Sequence, residues 1–408
     1  MKKLLGVTLG ILTAIGGFVD IGDLVTNALV GARFGLRLAW VVVVGIIGIC
    51  VFAEMSGRIA AVAGRPTFDL IRERLGPRIG LLALFGSFFV TALTMCAELG
   101  GVALAIELGT DLNYLLFVPI VGFVVWIVIW RVAFQKMETA FGLFGLLLIV
   151  YVVAVVHASP DWSHLWDQAA QLDPGEESWP TYWYYAVALF GAAMTPYEVF
   201  FFSSGGVEEH WTKKDLIEER ANVFIGFPLG GLLSLAIATM AALTFLPQGI
   251  QVDTIGQVAL PVALELGKAG LVVVILGIFA ATFGAALETA LSTGYTIAQY
   301  LGWQWGKMVR PREAPQFHLL IILMILLGMM VLLTTVDPIK VTEYSVVFSA
   351  LALPLTYFPI LVVANDPDYL GDHVNKPWTN ALGLVVLALV TLASVAALPL
   401  MIWTKAGQ

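Results

Sequence analysis

Asp20-Ile21-Gly22-Asp23 sets two carboxylates within one helical turn of a stretch that is otherwise almost wholly apolar. An ionised carboxylate at the centre of a bilayer costs about 3 kcal/mol or more unless it is paired, solvated or bound to a cation. Read locally, the pair is a helix start, with Asp20 at the N-cap and Asp23 at N3. A helix start in the middle of a span needs a further reason, because unwound backbone at membrane depth is tolerated only where it packs on protein or lines a cavity. Binding of a small cation supplies that reason.

A second interruption, Met194-Thr195-Pro196-Tyr197-Glu198, has the pattern of a capping box, with Thr195 at the N-cap, Pro196 at N1 and Glu198 at N3. Upstream of it the carbonyls of Ala192 and Ala193 lose their helical partners and become free acceptors. Oxygen atoms from both breaks suit a hard cation. Asp20, Asp23, the Ala192 carbonyl and Thr195 are therefore the candidate metal ligands. Glu198 reads equally as a cap for the N-cap amide or as a further ligand, and Tyr197 stands beside it.

Other embedded acids fall outside both breaks. Glu98 has no basic residue near it in sequence, so it must face a cavity, a partner or a proton. Glu288 sits among small residues and either lines a pathway or bonds a neighbouring helix. Both are candidates for a proton or gating role. Glu54 and Glu138 lie near span ends and read as snorkelling or gate residues. His157, His164, His210, His318 and His373 all fall in loops or at span ends, which excludes a mid-membrane imidazole relay.

These residues need a membrane-spanning frame to position them. Of 408 residues, 59% are apolar and 12% charged, and the mean hydropathy is +0.91. A soluble domain of this length needs far more polar surface. At about 20 apolar residues per span, the chain divides into spans at 4–32 (broken), 38–62, 79–107, 113–130, 137–157, 182–206 (broken), 223–246, 270–301, 317–335, 341–364 and 378–403. With a cytoplasmic N-terminus, sixteen of the 21 Lys and Arg residues, Lys2 and Lys3 among them, fall on the inner side, which supports an odd number of spans and places the C-terminus outside. The opening segment resembles a signal peptide but runs directly into Leu24–Val30, as one interrupted span would. Cys50 and Cys96 lie in apolar runs and predict no disulfide. Two loops are long: 157–180, rich in Trp and acid, and 208–222, charged and read as a short surface helix.

Five spans separate the two breaks, the spacing of a five-helix inverted repeat in which paired broken helices meet at the midplane. The resulting division is 1–160 for the first repeat, 161–365 for the second and 366–408 for an added eleventh span.

The residues resemble the Nramp family (natural resistance-associated macrophage proteins) of divalent metal transporters over nearly the whole chain. Asp20-Ile21-Gly22-Asp23 stands where the family has DPGN, followed by Thr26-Asn27 and Gly31-Ala32-Arg33-Phe34-Gly35. Gly64-Arg65 with Leu70-Ile71-Arg72-Glu73-Arg74 is similar to its second loop, Ala97-Glu98-Leu99-Gly100 to its third helix, and Asp337-Pro338, Leu353-Pro354 and Phe358-Pro359 to its tenth. The resemblance implies an all-α polytopic membrane protein of the LeuT-type fold, two inverted five-helix repeats plus an eleventh helix, with helices 1 and 6 discontinuous.

Departures from the family pattern bear on the cargo. The MPH motif becomes Thr195-Pro196-Tyr197, the Asn of DPGN becomes Asp23, an acid of the third helix becomes Met95, the ninth helix lacks its Arg, and a Gln of the tenth becomes Val346. Losing a thioether and gaining a carboxylate shifts preference toward hard ions, Mg²⁺ or Mn²⁺. Losing the His, the acid and the Arg predicts weak or absent proton coupling. The expectation is a monomeric, multi-pass plasma-membrane transporter with a divalent cation, and protons at most, as partners. It is not an enzyme, uses no cofactor and binds no nucleic acid. Two alternatives stand: the same fold carrying a small organic solute or amine, and a membrane sensor that no longer transports, against which the small loops argue.

Overall fold

The computed structural model describes residues 2–407, without the side chains of residues 2–7 and 9. The charges of Lys2 and Lys3, counted above for orientation, lie outside the described side chains. Among the described residues the chain is helical throughout, in the order α1 (Lys2–Gly17), α2 (Ile21–Phe34), α3 (Ala39–Ala63), α4 (Thr67–Thr110), α5 (Val118–Arg131), α6 (Phe134–Gly145), α7 (Val150–Ala158), α8 (Trp162–Ala170), α9 (Trp179–Ala193), α10 (Pro196–Glu208), α11 (Leu216–Ala221), α12 (Phe227–Thr244), α13 (Ile255–Leu301), α14 (Pro315–Leu333), α15 (Pro338–Val363), α16 (Pro367–Leu370) and α17 (Pro377–Trp403). Among the described residues nine helical segments are long and apolar enough to cross a membrane, and the bent pair α1–α2 makes a tenth. The remaining expected span is α5, apolar but only 14 residues long. At 1.5 Å per residue it falls short of a bilayer's hydrocarbon core.

Large apolar side chains such as Leu81, Phe85, Leu323, Leu392 and Val395 face outward, where lipid tails solvate them. Alternation of the spans gathers the connections at 64–66, 132–133, 209–215, 302–314 and 364–376 at one end of the bundle, called here the basic end. The expected divisions at 160/161 and 365/366 both fall between helices.

Packing between helices is reciprocal, as an inverted repeat requires. Before the first break α1 packs on α6 of the fifth span; before the second, α9 packs on α15 of the tenth. After the breaks, α2 packs on α12 and α10 on α3. The long helices α4 and α13 lie against each other, and each also lies against the last span of the other half, α15 for α4 and α6–α7 for α13. Two glycines make the correspondence specific. Gly16 and Gly191 each stand four residues before the N-cap of their restarted helix, Asp20 and Thr195. A Cβ on Gly16 would lie 1.7 Å from the Gly142 carbonyl oxygen, and one on Gly191 would lie 1.8 Å from that of Val346. Only glycine allows either backbone crossing.

Several elements differ from the sequence expectation. α4 and α13 are longer than expected because each joins a preceding short helix across a bend, at Gly76 and Gly267. The acidic loop contains a helix, α8, started by Asp161, whose carboxylate accepts from the Ser163 and His164 amides. The short helix expected on the surface is α11: Ile217 is 79% exposed, while Leu216 and Glu219 on its inner face are buried. Its Glu219 fits against Gly57 of α3, where a side chain would leave no room.

Candidate metal site at the helix breaks

Both breaks fall where expected. α1 and α2 meet at a bend of 59°, and α9 ends at Ala193 before α10 restarts at Pro196. Asp20 caps α2, its Oδ1 accepting from the Asp23 amide at 2.8 Å. Its Oδ2 accepts from the Tyr197 hydroxyl at 3.3 Å, so one carboxylate ties the two restarted helices together. Glu98 of α4 reaches the same helix end and accepts from the Ile21 amide at 3.2 Å through Oε1. Two carboxylates therefore face the positive end of the α2 dipole. Glu98 is 0% exposed, and its Oε2 has no hydrogen-bond partner.

At the second break the capping box does not form. Thr195 is the N-cap residue but caps no backbone amide with its side chain. Its hydroxyl donates instead to Glu198 Oε2 at 3.2 Å. A hydroxyl that donates to a carboxylate makes a charge-assisted hydrogen bond, stronger than one between neutral groups. Glu198 is consequently not consumed as a cap.

A small cavity, with room for about one water-sized particle, lies between α2, α4, α15 and the N-cap of α10 and is lined by Asp20, Glu98, Thr195, Thr94, Ser345 and Ser349, among others. A larger vestibule, about 1140 Å³ with its open space, is lined by Glu138, Glu198, Glu209, Glu218 and Glu288. It reaches the basic end, where Glu209 and Trp211 follow α10. Thr195 lines the cavity and Glu198 the vestibule, so the hydrogen bond between them stands at the partition. At the opposite end Arg33 of α2 donates to Gln251 at 2.7 Å and to the Gly407 carbonyl at 2.6 Å.

The structure separates some of the residues that the sequence grouped. Asp20 and Thr195 share the cavity with Glu98. Asp23 turns instead toward α12, accepting from Asn27 at 3.0 Å and Ser234 at 3.2 Å. Ala192 and Ala193 are the last residues of α9, and the next carbonyl, that of Met194, accepts from Tyr357 at 3.1 Å. Tyr197 donates to Asp20, and its own carbonyl accepts from Ser292 of α13 at 3.2 Å. Glu288 lies in the vestibule. No group of three or more His, Cys, Asp or Glu side chains able to hold a metal occurs among the described residues. Nor does any ion pair reach Asp20, Asp23, Glu98, Glu198 or Glu288 among them; the ion pairs found there involve other acids.

Sulfur is turned away from the site. The Met194 thioether packs on Gly48 of α3, and Met95 packs on Gly328 of α14. Val346, where the family has Gln, lines the cavity with Ser345 and Ser349 on either side of it in the chain. Sequence reading missed these hydroxyls, although Thr342, Ser345 and Ser349 recur at the i, i+3, i+7 spacing of one helix face.

Comparison with known proteins agrees with this architecture. The family model "Natural resistance-associated macrophage protein-like" matches residues 10–399. "Divalent metal cation transporter MntH" of Deinococcus radiodurans is 26% identical, over 91% of this chain and 85% of its own. Its namesake from Aeromonas hydrophila is also 26% identical, over 92% and 90%. In fold, the chain is similar to the Eremococcus coleocola manganese transporter in complex with an aromatic bis-isothiourea substituted compound, with a TM-score of 0.70, 17% identity and coverage of 98% and 94%. It is also similar, at a TM-score of 0.57 and 16% identity over 97% and 92%, to Mhp1, a nucleobase-cation-symport-1 family transporter in a closed conformation. The paired breaks, the reciprocal packing and the match over nearly the whole chain place this multi-pass membrane protein in the Nramp family.

Proposed function

We infer that the protein is a secondary transporter of divalent metal cations, with a preference for hard ions such as Mg²⁺ or Mn²⁺. The single observation that carries this reading is the cavity in which Asp20 and Glu98 meet Thr195 at the crossing of the two breaks, without a basic partner among the described residues. Buried carboxylates without a cationic partner are costly, and a bound divalent ion removes that cost. Asp20 and the Thr195 hydroxyl are the proposed ligands. Asp23, one turn along α2, and the Ala192 carbonyl, at the end of α9, complete the set proposed from the two breaks.

The hard-ion preference rests on the side-chain donors of the lining, which are all oxygen, and on the packing of Met95 and Met194 against other helices. The cavity is also too small for an organic solute; it has room for about one water-sized particle. Weak or absent proton coupling rests on the replacement of the family's His by Tyr197 and of its acid by Met95. Glu288 and Glu198, in the vestibule, act in gating and release rather than in relay. With the basic end cytoplasmic, the open vestibule delivers cargo inward. These names of metal-transporting relatives support the class of cargo and leave its identity to measurement.

Calorimetric titration of the purified protein with Mg²⁺ and Mn²⁺ tests the reading. Saturable binding that is lost in Asp20→Ala is expected; identical isotherms for the two proteins would reject it.

A further inference from the structure

The ligands proposed so far come from the broken helices, but two of them, Asp23 and the Ala192 carbonyl, do not line the cavity. Its remaining wall is supplied by unbroken helices. From α4 come Glu98 and Thr94; from α15 come Ser345 and Ser349. Thr94 and Ser345 share a hydrogen bond at 3.1 Å across the wall. Two atoms there have no partner at all: Glu98 Oε2 and Ser349 Oγ. Their residues are 0% and 2% exposed.

An orphaned buried acceptor costs roughly 1–3 kcal/mol, and more when it is charged. Both orphans belong to residues that line one void, together with Asp20 and Thr195. The void has room for about one water-sized particle, the scale of a divalent ion stripped of its outer waters. Two carboxylates balance its charge, and hydroxyls supply neutral oxygen in place of waters that Mg²⁺ otherwise keeps beside one or two carboxylates.

We propose that the cation's ligand set is completed by α4 and α15: Glu98 Oε2 and Ser349 Oγ coordinate the ion directly, opposite Asp20 and Thr195, with Thr94 and Ser345 as the adjoining hydroxyl pair. The inference rests on the transporter reading above and assigns ligands it does not contain. Its consequence is mechanical as well as chemical. An ion held between α2 and α10 on one side and α4 and α15 on the other draws the broken helices onto the unbroken ones, so occupancy itself reports to both halves of the bundle.

The test uses the full chain in a Cys50→Ala, Cys96→Ala background, titrated calorimetrically with Mg²⁺ and Cd²⁺. Ser349→Ala is expected to weaken Mg²⁺ by about tenfold or more, as loss of an oxygen on a charged partner does. Glu98→Gln should weaken it further. Ser349→Cys should gain Cd²⁺ affinity by about tenfold over the cysteine-free parent, because a thiolate is a soft ligand only if it touches the ion. A residue that merely packs the wall would give no such gain, and the cysteine variant keeps the test open should Ser349→Ala fail to fold. Wild-type Mg²⁺ binding in Ser349→Ala and Glu98→Gln, with no Cd²⁺ gain in Ser349→Cys, overturns the proposal. If Asp20→Ala still abolishes binding in that case, the transporter reading stands without it. If Asp20→Ala also binds normally, both fall.

Discussion

Replacing Gly191 by alanine inserts a methyl group where α9 crosses α15. The new Cβ would lie 1.8 Å from the Val346 carbonyl oxygen, against the 3.0 Å below which real Cβ contacts essentially never fall. The two backbones must therefore part by roughly the difference, about 1.2 Å. Neither side can yield by a rotamer change, because the obstacle is main chain. Overpacking of a core costs about 1–3 kcal/mol when side chains absorb it, and a backbone-on-backbone contact belongs at or above the upper figure. The displacement also has a direction. It moves Thr195, four residues on, away from the α15 wall of the cavity, so cation affinity should fall together with stability. Gly16→Ala makes the equivalent insertion against Gly142, where the Cβ would lie 1.7 Å from the carbonyl oxygen. Thermal unfolding in detergent, followed by calorimetric titration with Mg²⁺ of the surviving folded fraction, measures both effects. If Gly191→Ala unfolds and binds as the wild type does, the close crossing of α9 and α15 and the argument from it are wrong.

Other consequences lie at the site and at the basic end. Tyr197→Phe removes the hydroxyl that orients Asp20 and should weaken divalent-cation binding roughly tenfold, the worth of a hydrogen bond to a charged group; unchanged or tighter binding by calorimetry would argue against that role. Arg58, 4% exposed, pairs with Glu54 at 3.1 Å, and Arg220 reaches the same carboxylate at 3.1 Å. Arg58→Met should cost about 3 kcal/mol by stranding a buried charge, with Glu54→Gln in the same chain recovering part of it, as chemical denaturation would register. Lys307, between α13 and α14, donates to the Val132 carbonyl, and burial pushes its ammonium down from 10.5 to about 8, against the pull of Glu208. The unfolded chain then holds that proton to higher pH than the folded one, so the folded protein gains stability as pH rises from about 8 to 10.5. Lys307→Met should lack that increment in melting curves taken across the same range.

Much of the frame was legible from composition and pattern. Long apolar runs gave the spans, and the costly acids of Asp20 and Asp23 together with Thr195-Pro196 marked both breaks, because each signal depends only on neighbours in sequence. Partner choice did not yield to the same reading. Glu198 had the spacing of a capping box, yet the Thr195 hydroxyl takes its carboxylate. Asp23 met Ser234, 211 residues away, which no local pattern foretells. The α15 hydroxyls carried a helical period but no charge, and such groups in membrane helices commonly bond their own backbone, as Thr342 does to the Pro338 carbonyl at 2.8 Å. Ser349, unlike Thr342, has nothing to bond, and that is visible only once α4 and α15 are packed together.

Divalent-cation transport is measured by uptake of Mg²⁺, Ca²⁺, Mn²⁺ and Fe²⁺ into proteoliposomes, with and without a pH gradient. Saturable flux of Mg²⁺ or Mn²⁺ is expected, abolished in Asp20→Ala and little changed by the gradient. Absence of flux for both ions, or undiminished flux in Asp20→Ala, would contradict it.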